Sequence, residues 1–240
     1  MKSKKIIIAL LTGRGNNTLK DKNILPVLGK PLLHYPATAA KRSRYIDDFF
    51  VSSDDDKILD AAAEVGYRKI KRPDEYARPD SLHIDAILHA LAEMKAASLH
   101  PDILVVLLAN SVTVKTDWID GCIDEILNDD NISSVVPVNL IQDYHPYRAK
   151  KLNADGFLEP YFDFSKEKVS TNRQDLPHNY FLCHNFWVLN VGRSLFSENG
   201  QPPWTFMGDR IKPYVVDETF DVHDRNDLEL SERWLRENPD

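Results

Sequence analysis

Continuous apolar runs form the most hydrophobic segments of this chain. They cover residues 6–11, 49–52, 103–108 and 134–138, and they do not alternate with polar positions. A strand that is apolar at every position is typical of a sheet covered on both faces, as parallel sheets are. This feature favours a buried parallel sheet and argues against a sheet with one face in water.

Helical patterns lie between these runs. The carboxylates of residues 54–56 can cap a helix that places apolar side chains on one face and stops at Gly66. The expected apolar stripes are Ile58, Ala62 and Val65; Ile84, Ile87, Leu88 and Leu91; Ile119, Cys122, Ile123 and Ile126, in a helix capped near Thr116 or Asp117; and Leu228, Trp234 and Leu235, in a helix from about Arg225. The alternation predicts an α/β fold: a three-layer, Rossmann-like, mostly parallel sheet with helices on both faces.

The residue pattern changes over residues 139–182. Polar and aromatic residues mix there, residues 153–156 read as a turn, and Phe157, Phe162 and Phe164 suggest short exposed strands. An apolar strand at 186–191 then returns to the core. We therefore expect one domain over residues 1–240, with a protruding lobe inserted at 139–182.

Composition limits the partners. The chain has 240 residues, 42% of them hydrophobic, and a formal net charge of -7. This charge gives no general affinity for polyanions, so nucleic acid and anionic membrane are not expected partners. Cys122 and Cys183 form neither a disulfide framework nor a zinc motif. The run at 6–11 is too short for a signal segment or a membrane span, so a reducing, cytoplasmic location is expected.

The segment after the first strand is the most informative about function. It carries Gly13, Arg14, Gly15, Asn16, Asn17, Lys20, Lys22 and Asn23. Open α/β sheets place ligands at this edge, where glycines allow close approach and cations neutralise phosphate charge. Thr18 breaks the pattern GxGxxG, and GxxxxGK[ST] is absent, so a dinucleotide site or an ATPase loop loses its support. A triphosphate cradle is one interpretation; a solvated strand-to-helix loop is the other.

The order of short motifs along the chain carries a resemblance to a known family. The motifs are Gly13-Arg14-Gly15, Lys22-Asn23-Ile24, Gly29-Lys30-Pro31-Leu32, Val51-Ser52-Ser53-Asp54-Asp55, Arg72-Pro73-Asp74-Glu75-Tyr76-Ala77, His145-Pro146-Tyr147-Arg148 and, near the end, Asp221 with Asp227-Leu228-Glu229-Leu230. In this order, over about 220 residues, the chain resembles the CMP-sialic acid and CMP-Kdo synthetase family. The resemblance implies a nucleotidyltransferase fold, a homodimer formed through the lobe, and transfer of CMP from CTP to a small acidic sugar.

The resemblance also implies roles for individual residues. Arg14 and Lys22 would hold the CTP phosphates and stabilise the transition state, and Asp221 would bind Mg²⁺. Arg72 would help to fix cytosine. The remaining expected nucleotide contacts are Leu11, Gly13, Gly15, Asn23 and Ser111.

Some positions depart from the family pattern. Asn16, Asn17 and Thr18 stand where the family has Gly-Ser-Lys, and Lys20 is one candidate for the missing lysine. The second metal aspartate is replaced by His223, with Asp224 beside it, so either could accompany Asp221. The expected acceptor contacts are Ala109, Arg148, Asn185, Phe186 and Trp187. Ala109, Phe186 and Trp187 replace family residues and motivate a phosphonate acceptor as an alternative, and the altered loop motivates a nucleotide-binding paralogue of low activity.

Overall fold

The computed structural model describes residues 4–15, 17–165 and 168–239. The strands are β1 (Ile7–Thr12), β2 (Pro26–Val27), β3 (Lys30–Pro31), β4 (Asp48–Ser53), β5 (Arg68–Lys71), β6 (Ile103–Leu108), β7 (Ser134–Leu140), β8 (Lys150–Leu152), β9 (Leu158–Pro160), β10 (Tyr180–Leu182), β11 (Phe186–Asn190) and β12 (Ile211–Val215). The α-helices are α1 (His34–Lys41), α2 (Asp56–Glu64), α3 (His83–Ala96), α4 (Thr116–Asn128) and α5 (Arg225–Glu237).

One eight-stranded sheet organises the molecule. β6, β1, β4 and β5 are adjacent and parallel. β11 runs antiparallel between β6 and β7, β10 pairs antiparallel with the end of β7, and β12 pairs parallel with β7. The strands β1, β4, β5, β6, β7 and β12 therefore share one direction, and the carboxyl ends of β1, β4 and β6 meet at one edge.

Helices cover both faces of this sheet, which confirms the predicted three-layer α/β fold. Alternate residues of β1 show the division: Ile7, Ala9 and Leu11 pack against α1, α2, α4 and Trp234 of α5. Ile8 and Leu10 face the opposite layer, which contains α3. Burial on both faces explains why the strands read as continuous apolar runs.

The predicted elements are largely in place. β6 has the predicted bounds, β1 lies one residue later than predicted, and α5 begins at Arg225 as expected. Asp55 caps α2 by accepting a hydrogen bond from the Lys57 amide, and Gly66 ends this segment at φ +84°. α4 begins at Thr116, close to the predicted position, but its N-cap residue is Lys115, which makes no side-chain cap bond.

The lobe is smaller than predicted. Residues 139–140 and 180–182 belong to the main sheet, and the separate part is centred on the β8–β9 hairpin. Phe157 precedes β9 and is 71% exposed. Phe162 and Phe164 lie outside strands and form an aromatic group with Tyr147. In the described part of the chain, no helix is long and apolar enough to cross a membrane.

Candidate active site

A cavity of about 330 Å³ opens at the carboxyl end of β1. Its walls come from the loop after β1, the segment between β5 and α3, and the end of β6. The lining residues are Thr12, Gly13, Arg14, Asn17, Lys22, Asn23, Arg72, Tyr76, Arg78, Pro79, Ser81, Leu82, His83, Ala86, Leu108 and Asn110. The cavity lies where open α/β sheets bind ligands.

The loop after β1 is held close to the sheet by its glycines. A Cβ atom on Gly13 would lie 3.1 Å from both the Ala109 Cβ and the Asn23 Nδ2 atoms. A Cβ atom on Gly15 would lie 2.7 Å from Asp55, and the Gly15 amide donates to the Asp54 carboxylate. Asn23 is buried and donates from Nδ2 to the Arg14 carbonyl. The loop therefore needs small residues at both glycine positions to bring Arg14 over the cavity. Asn16 lies outside the described residues.

Four cationic side chains line this cavity: Arg14, Lys22, Arg72 and Arg78. Arg14 donates from Nη1 to the Arg78 carbonyl, which joins the loop after β1 to the segment before α3. Burial lowers the pKa of Lys22, Asp221 opposes this effect, and Arg14 adds to it. Arg72 is 5% exposed, and burial lowers its pKa to about 10, so it stays charged at neutral pH. These charges can neutralise a polyphosphate.

Asp221 is brought to the same edge by hydrogen bonds between distant parts of the chain. Ser111 and Thr113, which follow β6, donate from their hydroxyl groups to the Phe220 carbonyl. Asn110 donates from Nδ2 to Asp221 Oδ2 at 3.2 Å, and it also lines the cavity. A carboxylate from near the C-terminus thus lies beside the cations that follow β1.

His223 and Asp224 differ in what they can offer a metal ion. His223 Nε2 lies 2.9 Å from Asp221 Oδ2, and its side chain is 70% exposed. Asp224 is the N-cap of α5, where its carboxylate accepts from the amides of Asn226 and Asp227. Both of these bonds go to Asp224 Oδ1, so this oxygen is engaged by the helix cap. Within the described residues there is no group of three or more His, Cys, Asp or Glu side chains that could hold a metal ion.

Some expected nucleotide contacts lie away from the cavity walls. Leu11 is fully buried in the helix-covered core, so its side chain cannot reach a ligand. Gly15 contacts Asp54 and Asp55 instead. Ser111 is fully buried, and its hydroxyl donates to the Phe220 carbonyl. These residues shape the site from outside it.

Four of the five expected acceptor contacts are buried. Ala109 is 1% exposed and packs against Gly13. Asn185 donates to the Thr113 carbonyl, while Phe186 and Trp187 lie in opposite layers of the core. Arg148 is exposed in the lobe and does not line the cavity. The reason for expecting a phosphonate acceptor is therefore lost, because the bulky Phe186 and Trp187 do not line the cavity.

Sequence reasoning missed one wall of the cavity. Tyr76, Arg78, Ser81, Leu82 and His83 form the segment that leads into α3. Only proximity to the Arg72 motif could have indicated them, because nothing in the local pattern shows that this segment folds back over β1. Thr12 and Asn110 were also missed. Thr12 ends β1 and Asn110 follows β6, and neither position differs in sequence from an ordinary strand end.

The fold and this basic cavity define a nucleotide-binding α/β protein. A family model described as cytidylyltransferase matches residues 9–181. This chain belongs to the cytidylyltransferase family.

Its relatives include bacterial proteins named as cytidylyltransferases. The chain is 33% identical over 87 residues to the N-acylneuraminate cytidylyltransferase of Escherichia coli O18:K1:H7, covering 36% of this chain and 21% of that protein. It is 24% identical over 202 residues to one Helicobacter pylori protein, named pseudaminic acid cytidylyltransferase and UDP-2,4-diacetamido-2,4,6-trideoxy-beta-L-altropyranose hydrolase. This match covers 80% of this chain and 37% of that protein. The matched parts thus span about a fifth to just over a third of these relatives.

Solved structures show the same fold over nearly the whole chain. A CMP:2-keto-3-deoxy-manno-octonic acid synthetase complexed with CTP gives a TM-score of 0.69 at 14% identity, covering 97% of this chain and 99% of that one. The 4-diphosphocytidyl-2C-methyl-D-erythritol synthase of Anaerococcus prevotii gives 0.64 at 13% identity, covering 97% of each.

Proposed function

We propose that this chain transfers a cytidylyl group from CTP to an acidic sugar and releases pyrophosphate. The observation that carries the proposal is the convergence of Arg14, Lys22 and Arg72 on one cavity, with Asp221 beside Lys22. The relatives named for N-acylneuraminate and pseudaminic acid support an acidic nonulosonic acid as the acceptor. We place this activity in the cytoplasm, where CTP is available and the two buried cysteines stay reduced.

The chemistry requires positioning and charge stabilisation. An acceptor oxygen attacks the α-phosphorus in line with the departing pyrophosphate, and negative charge builds on the phosphate oxygens. We propose that Arg14 and Lys22 bind these oxygens and that the loop glycines let the backbone approach them. Because Lys22 is partly desolvated, its attraction for phosphate is stronger than in open water.

Magnesium suits Asp221 better than His223. Mg²⁺ prefers oxygen ligands and is usually bound by one or two carboxylates together with substrate phosphates. Asp221 Oδ2 is engaged by Asn110 and His223, whereas Oδ1 has no hydrogen bond to any described residue. We propose that Asp221 holds the ion through this free oxygen while His223 orients the carboxylate. Bound there, the ion would neutralise phosphate charge.

We also propose that the protein is a homodimer formed through the lobe. Large side chains of the lobe are exposed in the single chain: Tyr144, Leu152, Phe157, Leu158, Tyr161 and Phe162. A contiguous exposed apolar surface usually marks an interface. Sedimentation of the wild-type chain and of Phe157→Ser tests this, since a wild-type monomer at micromolar concentration would refute it.

The activity itself is tested by pyrophosphate release. The purified chain is incubated with CTP and Mg²⁺ and with sialic, legionaminic, pseudaminic, Kdo or phosphonate acceptors in parallel. Turnover with at least one acidic sugar, lost in Asp221→Ala, supports the proposal. Binding of CTP without turnover on any acceptor would instead identify a partner subunit of low activity, and turnover with the phosphonate alone would overturn the sugar assignment.

A further inference from the structure

His83 lines the cavity from the first turn of α3. Its ring packs against Trp187, with ring centroids 5.2 Å apart and planes at 55°. Its Nε2 atom lies 2.9 Å from the Thr12 hydroxyl oxygen. The ring is therefore held by the core on one side and by β1 on another, and it is among the residues that line the cavity.

The Thr12 contact fixes the position of the imidazole proton. The Thr12 hydroxyl donates to the Leu107 carbonyl at 3.1 Å, and a hydroxyl group has only one proton to donate. Thr12 must therefore accept from His83, so the proton of a neutral ring is on Nε2. Nδ1 keeps its lone pair and has no hydrogen bond to any described residue. The cavity thus contains a hydrogen-bond acceptor of fixed orientation.

The surroundings of His83 keep the ring neutral. Burial, together with the nearby Arg72 and His184, lowers the pKa of His83 to about 4. The helix N-terminus, which is electropositive, acts in the same direction. Nδ1 is consequently an acceptor throughout the physiological pH range.

Arg72 supplies a donor close to this acceptor. Its Nε and Nη2 atoms donate to the Ser52 hydroxyl and carbonyl, which leaves Nη1 with no hydrogen bond to a described residue. Cytosine presents a donor, its 4-amino group, beside the acceptors N3 and O2. Uracil presents an acceptor at position 4 and a donor at N3. One fixed acceptor with a neighbouring guanidinium therefore matches cytosine and opposes uracil at position 4.

We propose that His83 selects cytosine over uracil by accepting a hydrogen bond at Nδ1 from the 4-amino group of the base. The inference rests on the proposed function, because it assumes that the cavity binds a pyrimidine nucleoside triphosphate. It assigns base choice to a side chain in the wall that leads into α3, and it leaves phosphate binding to Arg14 and Lys22.

The test combines a change in the protein with a change in the ligand. Calorimetry measures binding of CTP, UTP and the 2-pyrimidinone ribonucleoside triphosphate, which lacks the 4-amino group, to the wild-type chain and to His83→Phe. Phenylalanine keeps a ring against Trp187 but has no acceptor. In the wild type, we expect loss of the amino group to weaken binding about tenfold or more, since an unpaired acceptor is costly. In His83→Phe the same loss should change binding less than about threefold.

Two further variants make the result decisive. His184→Phe alters a ring that also contacts Trp187 but does not line the cavity, so it should keep the wild-type preference. His83→Asn restores an acceptor near the Nδ1 position, so it should recover part of the preference for CTP. It keeps the inference testable if His83→Phe folds poorly. An equal preference for CTP in wild type and His83→Phe would overturn the inference alone. Failure of the wild type to bind either CTP or UTP would overturn the proposed function as well.

Discussion

At the scale of single residues, the cavity depends on side chains that are charged or neutral because of where the fold places them. Lys22 and Arg72 are cations whose pKa values are lowered by burial, yet the negative charge of Asp221 and of Asp54, respectively, opposes the shift. His83, which has no carboxylate opposing its shift, is neutral. The residue types of Lys22 and Arg72 already suggested cations, but only the surrounding structure determines that the His83 ring is neutral.

The lowered pKa of His83 predicts a pH-dependent stability. Between its ordinary pKa of 6.5 and its folded value of about 4, the unfolded chain binds a proton that the folded chain does not. The contribution of His83 to the free energy of unfolding therefore has its highest value above pH 6.5. It decreases as the pH falls through this window. Urea unfolding at pH 7.5 and pH 5 should show a loss on the order of 2 kcal/mol that His83→Phe removes. An identical pH dependence in the two chains would contradict this account.

Lys22 and Lys20 give a matched pair in the loop after β1. Lys22 lines the cavity, whereas Lys20 is exposed and does not. Lys22→Met should lower the rate of pyrophosphate release at saturating CTP by about 10²- to 10³-fold, as expected for a lost transition-state contact of about 3–4 kcal/mol. Lys20→Met should change it by less than about threefold. A similar loss in both variants would show that general positive charge, rather than position, is what matters.

At the scale of elements, loops and caps place the functional groups. The core strands β1, β4, β6, β7 and β11 could be predicted from the sequence, and so could four of the five described α-helices, because hydrophobic periodicity is a local property. α1 lacked such a stripe, since alanines fill its buried face and a proline stands in its first turn. The segment between β5 and α3 gave no periodic pattern, and its return over β1 follows from the hydrogen bond between Arg14 and the Arg78 carbonyl.

The N-cap of α5 predicts a separation between stability and metal binding. Asp224 accepts from the amides of Asn226 and Asp227, so Asp224→Ala should lower the free energy of unfolding by about 1 kcal/mol. It should leave the Mg²⁺ concentration needed for half-maximal activity within about twofold. Asp221→Ala should do the opposite, abolishing the Mg²⁺ response with a smaller effect on stability. If Asp224→Ala instead abolishes the Mg²⁺ response, Asp224 rather than Asp221 holds the ion.

At the scale of the whole molecule, the site is assembled from segments that are more than a hundred residues apart. Asp221 lies beside the cavity-lining Asn110 because residues after β6 bind the chain on both sides of it. The Val222 amide donates to the Asn110 carbonyl, and the Phe220 carbonyl accepts from Ser111 and Thr113. Ser111 was predicted to contact the nucleotide directly. Its buried position suits a structural part in holding the C-terminal segment.

This assembly predicts that a distant pair of hydroxyl groups controls the order of the C-terminal segment. Ser111→Ala combined with Thr113→Val leaves the Phe220 carbonyl without its two side-chain donors, which should cost about 1–3 kcal/mol. Hydrogen exchange of the Val222 amide should accelerate at least tenfold, while that of the Leu59 amide in α2 stays close to its wild-type rate. Unchanged exchange at Val222 would show that backbone contacts alone hold the segment.

The sequence by itself determined the layered fold and the basic loop after β1, since apolar runs and short motifs are local features, whereas a shared site for Arg14, Lys22 and Arg72 was implied by the family resemblance. Only the tertiary structure decided which residues face the cavity. Ala109, Asn185, Phe186 and Trp187 proved to be core, while Tyr76, Arg78 and His83 entered the wall. The physical reason is that exposure and hydrogen-bond partners depend on contacts between remote segments, which no local pattern records.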